Sequence, residues 1–277
     1  KTFGLIGVAF GLSFFLGNIF VVIFARNTNN NFIIPVLIAS IIPIINFLLV
    51  FFYLPETKPN SEINKSKTAL KNPLKALFTV FKEEKIKKLS LAFFIYFIAF
   101  TGLTNILIFF LQESLNWTTK ASSGTLVVVG IIAIIVQGGL IGPLVKKFGE
   151  MRLTLIGSGF ILVACSLLIT APKENATINI YSAVSFLAIG AGLITPTLRA
   201  LISKKLDVNK QGSILSNLQG LQSLGGVLGI AMAGRVYDSF GPKSPFIAGS
   251  IILIFMIYLI AEGKNNKSIY DQKTNLF

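Results

Sequence analysis

The chain has 277 residues, of which 53% are hydrophobic and 13% charged, with a mean hydropathy of +0.75; soluble globular domains are rarely this apolar. It has no histidine and one cysteine, Cys165, which excludes His-ligated zinc, His-based triads, haem with a His axial ligand and any internal disulfide. The net charge of +14 would suggest nucleic acid in a soluble protein, but here the basic residues sit between apolar runs, where they orient helices in a bilayer instead.

In chain order, eight apolar spans are expected, at 3–25, 32–54, 89–111, 124–145, 153–171, 178–198, 213–235 and 245–262. Their hydrophobicity is continuous, not alternating. Each is long enough to cross a hydrocarbon core of ~30 Å as a helix, and only helices or closed barrels satisfy their backbone in lipid. The fold class expected is therefore all-α, a polytopic membrane protein. Pro35, Pro43 and Pro196 interrupt spans, as membrane helices tolerate.

After the second span, a polar connection runs from Pro55 to Lys88. Within it, NPLKALFTVFKEEKIKK reads as an amphipathic helix capped by Asn72, with Pro73 in its first turn. Leu74, Leu77, Phe78 and Phe81 fall near one face, which suits an interfacial helix on an anionic leaflet; a solvated linker is the other reading. With Lys1 on the cytoplasmic side, 20 of the 25 Lys and Arg fall on that side and 5 on the other. That count places Arg199 in a cytoplasmic loop after the sixth span. Both ends and the long connection are then cytoplasmic.

Polar residues inside spans are costly in lipid and tend to face a bundle interior. They are Tyr96, Thr101, Thr104 and Asn105 in the third span, Gln137 in the fourth, and Thr195 and Thr197 beside Pro196 in the sixth. The seventh span adds Ser216, Asn217, Gln219, Gln222 and Ser223. Thr101 and Asn105 are four apart and share a face. All eleven acids fall in loops or at span ends. Small residues four apart, Gly225, Gly229 and Ala233 in the seventh span and Gly138 and Gly142 in the fourth, predict close packing of these two spans.

GPLVKKFGEMR, between the fourth and fifth spans, contains G-x-L-x-x-K-x-G-x-x-R at Gly142, Leu144, Lys147, Gly149 and Arg152. It resembles the cytoplasmic loop signature of the major facilitator superfamily, with Gly142 and Gly149 expected to shape the turn. Lys146 stands where the family's Asp usually lies, so no charge relay is expected there. LPET at 54–57 resembles the turn after the family's helix 6. GLIGVAFGLSFFLGN resembles the helix 5 motif of drug antiporters through Gly4, Gly11 and Gly17, although Asn18 replaces its Pro and Val21-Val22 its Gly pair. FLQESLNW, ITPTLRALISK, QGSILSNLQGLQSLGG and YDSFG follow in an order similar to the tetracycline-resistance efflux branch.

The resemblance implies twelve helices in two six-helix bundles, with this chain carrying helices 5 to 12. Residues 1–57 would then be helices 5 and 6 of the N-terminal bundle, and 58–88 the cytoplasmic central loop. Residues 89–263 would form the C-terminal six-helix bundle and 264–277 a cytoplasmic tail. Gly4, Gly11 and Gly17 are loosely echoed by Gly212, Gly220 and Gly225 at the equivalent helix of the other repeat. Gly4, Gly11, Gly17, Gly225 and Gly229 are the helix-packing glycines expected. Helix 7 lines the central cavity in this family, so Tyr96, Thr101 and Asn105 are the foremost substrate contacts, with Gln137 and Asn217 beside them.

The function expected is alternating-access transport in the cell membrane, as proton-coupled efflux of small amphipathic compounds. No cofactor is implied; the proton gradient is the energy source. The partners are the lipid bilayer, a small-molecule substrate and the missing N-terminal helices 1–4, with no nucleic acid. A permease for another small solute and a truncated, non-transporting remnant are the alternatives. A membrane enzyme is disfavoured, because no base is placed to activate a Ser or Tyr.

Overall fold

The computed structural model of the chain describes residues 2–27, 33–54, 77–172, 176–206 and 208–274. Among these residues the regular structure is entirely helical. Helix α1 is Thr2–Asn27 and α2 is Ile33–Tyr53. A 3-10 turn, Phe78–Lys82, leads to α3, Lys87–Phe109, which runs on through a π-helical turn, Phe110–Ser114. Helix α4, Thr119–Ile134, continues through a second π turn, Ile135–Leu140, into α5, Ile141–Phe148. Then come α6, Glu150–Ile169, α7, Thr177–Ser203, α8, Val208–Phe240, and α9, Ser244–Thr274.

The cores of all eight expected spans lie in these helices. Six stretches among the described residues are long and apolar enough to cross a membrane: Val36–Tyr53, Lys87–Ser114, Thr119–Phe148, Glu150–Ile169, Thr177–Ser203 and Ser244–Glu262. Helix α1 supplies a shorter apolar stretch, Gly11–Ile23. Helix α8 has 33 residues, about 50 Å at 1.5 Å per residue, but it carries Gln, Asn and Ser on more than one side, which lowers its hydropathy.

Helix α3 is the centre of the bundle. Phe93, Tyr96 and Phe110 from it are fully buried with Phe246 of α9, and the Phe110 and Phe246 rings meet edge to face at 5.2 Å. Helices α8 and α9 pack on α3, α6 packs on α7, and α1 lies along α4. Helix α2 touches α1 and is exposed at nearly all of its described positions, consistent with a surface for lipid or further helices.

Backbone contact between helices occurs where glycines meet. A Cβ at Gly229 would lie 2.2 Å from the Ile98 carbonyl oxygen, and one at Gly102 would lie 2.8 Å from the Gly229 carbonyl oxygen. A Cβ at Gly225 would come within 3.1 Å of the Phe94 carbonyl oxygen. The small-residue stripe of α8 therefore packs on α3, not on α4 as its spacing suggested. Four-residue spacing marks a smooth face but carries no information about its partner. On the other side, a Cβ at Gly190 would sit 2.6 Å from the Gly157 carbonyl oxygen, joining α7 to α6.

The amphipathic segment departs from expectation. Its residues 72–76 lie outside the described residues. Beyond them the chain makes only the 3-10 turn and breaks at Glu83, whose ψ is 98°. Val80 and Ile86 are fully buried, and Leu77 and Phe81 pack against the core. The Leu77 side chain fills the space over Gly220 of α8, and Asn217 Nδ2 donates to Thr79 Oγ1 at 3.1 Å. From Leu77 onward the segment is docked into the bundle, because Val80 and Ile86, off the predicted face, also need burial.

The bundle ends are tied by a few polar contacts. Lys88 Nζ at the start of α3 meets Glu262 Oε1 of α9 at 2.8 Å, and Lys204 after α7 pairs with Glu150 at the start of α6. At the ends of α3 and α8, the Tyr237 hydroxyl donates to Glu113 Oε2 at 3.1 Å. Both partners of the Lys88–Glu262 pair are about two-fifths exposed. Glu262→Ala is therefore expected to cost only about 0–1 kcal/mol, read as a small fall in the unfolding temperature of the solubilised protein; loss of folded protein would mean that the pair anchors α9.

Candidate functional site

A cavity of about 410 Å³ lies between α1, α3, α4, α7 and α8. This is within the size range of small-molecule sites. Each wall is one helical face at 3.6-residue spacing. Helix α3 presents Phe97, Phe100, Thr101, Thr104 and Asn105; α4 presents Leu126, Val129 and Ala133, followed by Gln137 on its π turn. Helix α7 presents Ala188, Gly192, Thr195 and Arg199, and α8 presents Gln219, Gln222, Ser223 and Gly226. Gly11 closes the α1 side. The wall is mostly apolar, with a few polar groups that face one another across it.

Three of the five substrate contacts expected from the sequence line this space: Thr101, Asn105 and Gln137. Asn105 Nδ2 donates to the Thr101 carbonyl oxygen at 2.9 Å, which leaves its amide oxygen available as an acceptor. Gln137 stands on a π turn, where one extra residue per turn rotates the register; such turns are frequent at functional sites. Gly192 lets α7 approach there, since a Cβ on it would lie 2.9 Å from Val136 Cγ1.

The other two lie elsewhere. Tyr96 is fully buried behind the wall, its ring stacked on Phe100 and its hydroxyl 3.1 Å from Thr195 Oγ1. It positions Thr195 and does not face the space. Asn217 points to the opposite side of α8 from Gln219 and Gln222 and holds Thr79.

Arg199 is the residue the sequence reading misplaced. Its apolar span stops at 198, which left Arg199 to a cytoplasmic loop. Helix α7 in fact runs on to Ser203, so Arg199 stays on the face of Thr195 and lines the cavity. Its Nη2 donates to Gln219 Oε1 at 2.7 Å and to Gln222 Oε1, and its guanidinium lies over the Phe93 ring, 5.8 Å from the centroid. Its Nε is buried with no hydrogen-bond partner. The four-residue step from Thr195 to Arg199 was the signal that could have found it.

The loop motif divides differently from expectation. Gly142 lies inside α5, and a Cβ on it would meet nothing within 4 Å among the described residues. The turn falls on Gly149, whose φ is +75° and ψ 159°, a region nearly restricted to glycine. Leu144 packs beside the small cluster of Val136, Ile141, Leu153 and Leu193, and Lys147 Nζ sits 5.4 Å from the Phe148 ring centroid. Arg152 lies in the first turn of α6. Gly149→Ala is expected to destabilise by about 1–3 kcal/mol, whereas Gly142→Ala should be neutral or slightly stabilising in a helix interior. Unfolding temperatures of the two variants in detergent check this; equal losses would return Gly142 to the turn.

The packing glycines also separate. Gly11 packs closely: a Cβ there would lie 2.9 Å from the Ile134 amide nitrogen. Gly225 and Gly229 pack on α3, as described above. A Cβ at Gly17 would meet nothing within 4 Å among the described residues, and Gly4 lies in α1.

Long apolar helices around a sparsely polar chamber define a polytopic membrane protein with room for a small solute. The chain belongs to the major facilitator superfamily, whose sequence model matches residues 1–230, and the family and its fold are those of transporters. The chain is 24% identical over 238 residues to the class H tetracycline resistance protein of Pasteurella multocida, covering 86% of this chain and 58% of that protein. It is 25% identical over 242 residues to the class B tetracycline resistance protein of Escherichia coli, covering 86% and 57%. Its fold is similar to the crystal structure of the human organic anion transporter MFSD10 (TETRAN), with a TM-score of 0.71 and 21% identity, covering 93% of this chain and 62% of that one. The chain thus spans somewhat more than half the length of the curated relatives it matches.

Proposed function

We propose that the chain works as part of a secondary active transporter that moves small amphipathic compounds outward by alternating access, driven by the proton gradient. The observation that carries this reading is the cavity of about 410 Å³, whose apolar wall suits the body of an amphipathic solute and whose few polar groups can orient it. Similarity to tetracycline resistance proteins and to multidrug resistance protein 2 of Bacillus subtilis supports efflux. On this reading α1 and α2 belong to one bundle and α3–α9 to the other, with 58–88 as the central loop and both ends of the chain cytoplasmic in a cell membrane. Thr101, Asn105 and Gln137 contact the solute. The residues lining the cavity include no carboxylate, so the proton-coupling acid is assigned to the four preceding helices of the whole protein.

The test uses inside-out membrane vesicles carrying the full-length protein, with an imposed proton gradient and a panel of amphipathic compounds that includes tetracycline. Saturable uptake that a protonophore collapses is expected. Thr101→Ala and Asn105→Ala should each lower it more than Gln137→Ala, because both sit on the central helix. Saturable uptake indifferent to the gradient would favour a permease for another solute. No transport of any compound would favour a non-transporting remnant. Unimpaired transport by all three variants would remove α3 from the solute path.

A further inference from the structure

We propose that the solute carried is an amphipathic monoanion, and that Arg199 is the group that holds its carboxylate. This deepens the transport reading above and rests on it. Arg199 is the one ionisable side chain among the residues lining the cavity, and no carboxylate among the described residues pairs with it. Arginine stays charged in any protein setting. Arg199 is half-buried with its Nε fully withdrawn from water; a guanidinium so placed without a counter-charge is costly, and such groups inside membrane segments mark solute pathways.

The surroundings hold the charge in place without neutralising it. Both Nη2 hydrogens are taken up by the neutral amide oxygens of Gln219 and Gln222, and the Phe93 ring supports the guanidinium from below. The Nε–H has no acceptor. A carboxylate is a stronger acceptor than an amide and matches the guanidinium fork in two parallel bonds. Arriving from the cavity, it would take the Nε–H and one Nη2–H, and the freed glutamine would turn its NH₂ donors toward the anion. Ala188, Ala191, Leu126 and Val129 give the same cavity an apolar wall for the rest of the solute.

Arg199 has a competing purely structural role, as a bridge from α7 to α8 through the two glutamines. Binding separates the two. The full-length protein in lipid nanodiscs is titrated with 1-naphthaleneacetate and with its neutral isostere, 1-naphthaleneacetamide. The carboxylate is expected to bind about tenfold or more tightly than the amide, as a charge-assisted hydrogen-bond pair implies. Arg199→Gln should bring the carboxylate down to the level of the amide, while the amide still binds. Arg199→Lys should retain part of the preference, having charge without the fork. Gln222→Glu, which supplies an internal counter-charge, should remove the preference while the protein stays folded.

Equal binding of acid and amide to the unaltered protein would overturn the anion site and leave the cavity reading standing; pairing of Arg199 with an acid elsewhere in the whole protein would give this result. An Arg199→Gln variant that loses both ligands together would assign Arg199 to the structural bridge. Binding of neither compound would also overturn the anion site, while the vesicle assay above decides transport separately.

Discussion

Gly229→Ala is expected to prevent the bundle from folding normally. The new methyl carbon would start 2.2 Å from the Ile98 carbonyl oxygen and close to the Ile98 backbone carbons. A side chain could rotate away, but this atom belongs to the main chain of α3, the helix around which the core is built. Directly across, a Cβ at Gly102 would lie 2.8 Å from the Gly229 carbonyl oxygen, so neither helix can shift without opening the other contact. Overpacking a tight core costs typically about 1–3 kcal/mol even when side chains can adjust, and a backbone clash falls at or above the upper end. Domain stabilities are only about 5–15 kcal/mol. The variant should therefore yield little monodisperse protein and unfold well below the unaltered chain. Gly234→Ala, five residues along the same helix with nothing among the described residues within 4 Å of the added carbon, is the control and should behave as the unaltered protein. Equal unfolding temperatures for all three would mean that α3 and α8 do not touch at backbone distance.

Gly130→Val is expected to do the opposite: to spare the fold and stop transport. A Cβ at Gly130 would lie 2.6 Å from the Phe15 amide nitrogen and 2.8 Å from its Cα. The collision is again with backbone, but with α1, which lies along α4 and is assigned above to the other bundle. Helices α3 to α9 should keep their own core when α1 is displaced, because none of the described side chains of α1 belongs to the main buried cluster. What is lost is the close α1–α4 contact, a surface along which one bundle can rock on the other. Transport should fall about tenfold or more, equivalent to ~1.4 kcal/mol in the conformational balance, with the unfolding temperature nearly unchanged. Normal transport would show that the α1–α4 contact is not a moving surface.

The contrast between these two glycines shows how far the sequence could be read. Continuous apolar runs revealed the helices, since lipid leaves the backbone no other choice. The Thr101–Asn105 spacing revealed one wall of the cavity, because a four-residue step keeps a helical face whatever surrounds it. Partner choice was not legible: the Gly225, Gly229 and Ala233 stripe reads the same whether it meets α3 or α4. Asn217 and Gln219 are two apart on a helix that is polar on two sides, and only packing shows which side faces the cavity. Arg199 was missed because a hydropathy boundary ends where charge begins, whereas helix α7 ends where its hydrogen bonds end, at Ser203. The 3-10 break at Glu83 had no sequence mark, because Val80 and Ile86 are apolar residues of an otherwise amphipathic run.

On the proposed function, the space between α1, α3, α4, α7 and α8 is a solute chamber that opens to one side of the membrane at a time. The most direct measurement is labelling of single cysteines by the membrane-impermeant thiol reagent methanethiosulfonate ethylsulfonate, applied separately from each face of sealed vesicles carrying the full-length protein. Native Cys165 is fully buried, so the background is low, and Asn105→Cys and Gln137→Cys report on two walls of the chamber. Both should be labelled from one face, and reversing the proton gradient or adding a transported compound should move their reactivity toward the other. Labelling from neither face under any condition would make the space a sealed packing void, and simultaneous labelling from both would make it an open pore; either result would rule out an alternating-access chamber here.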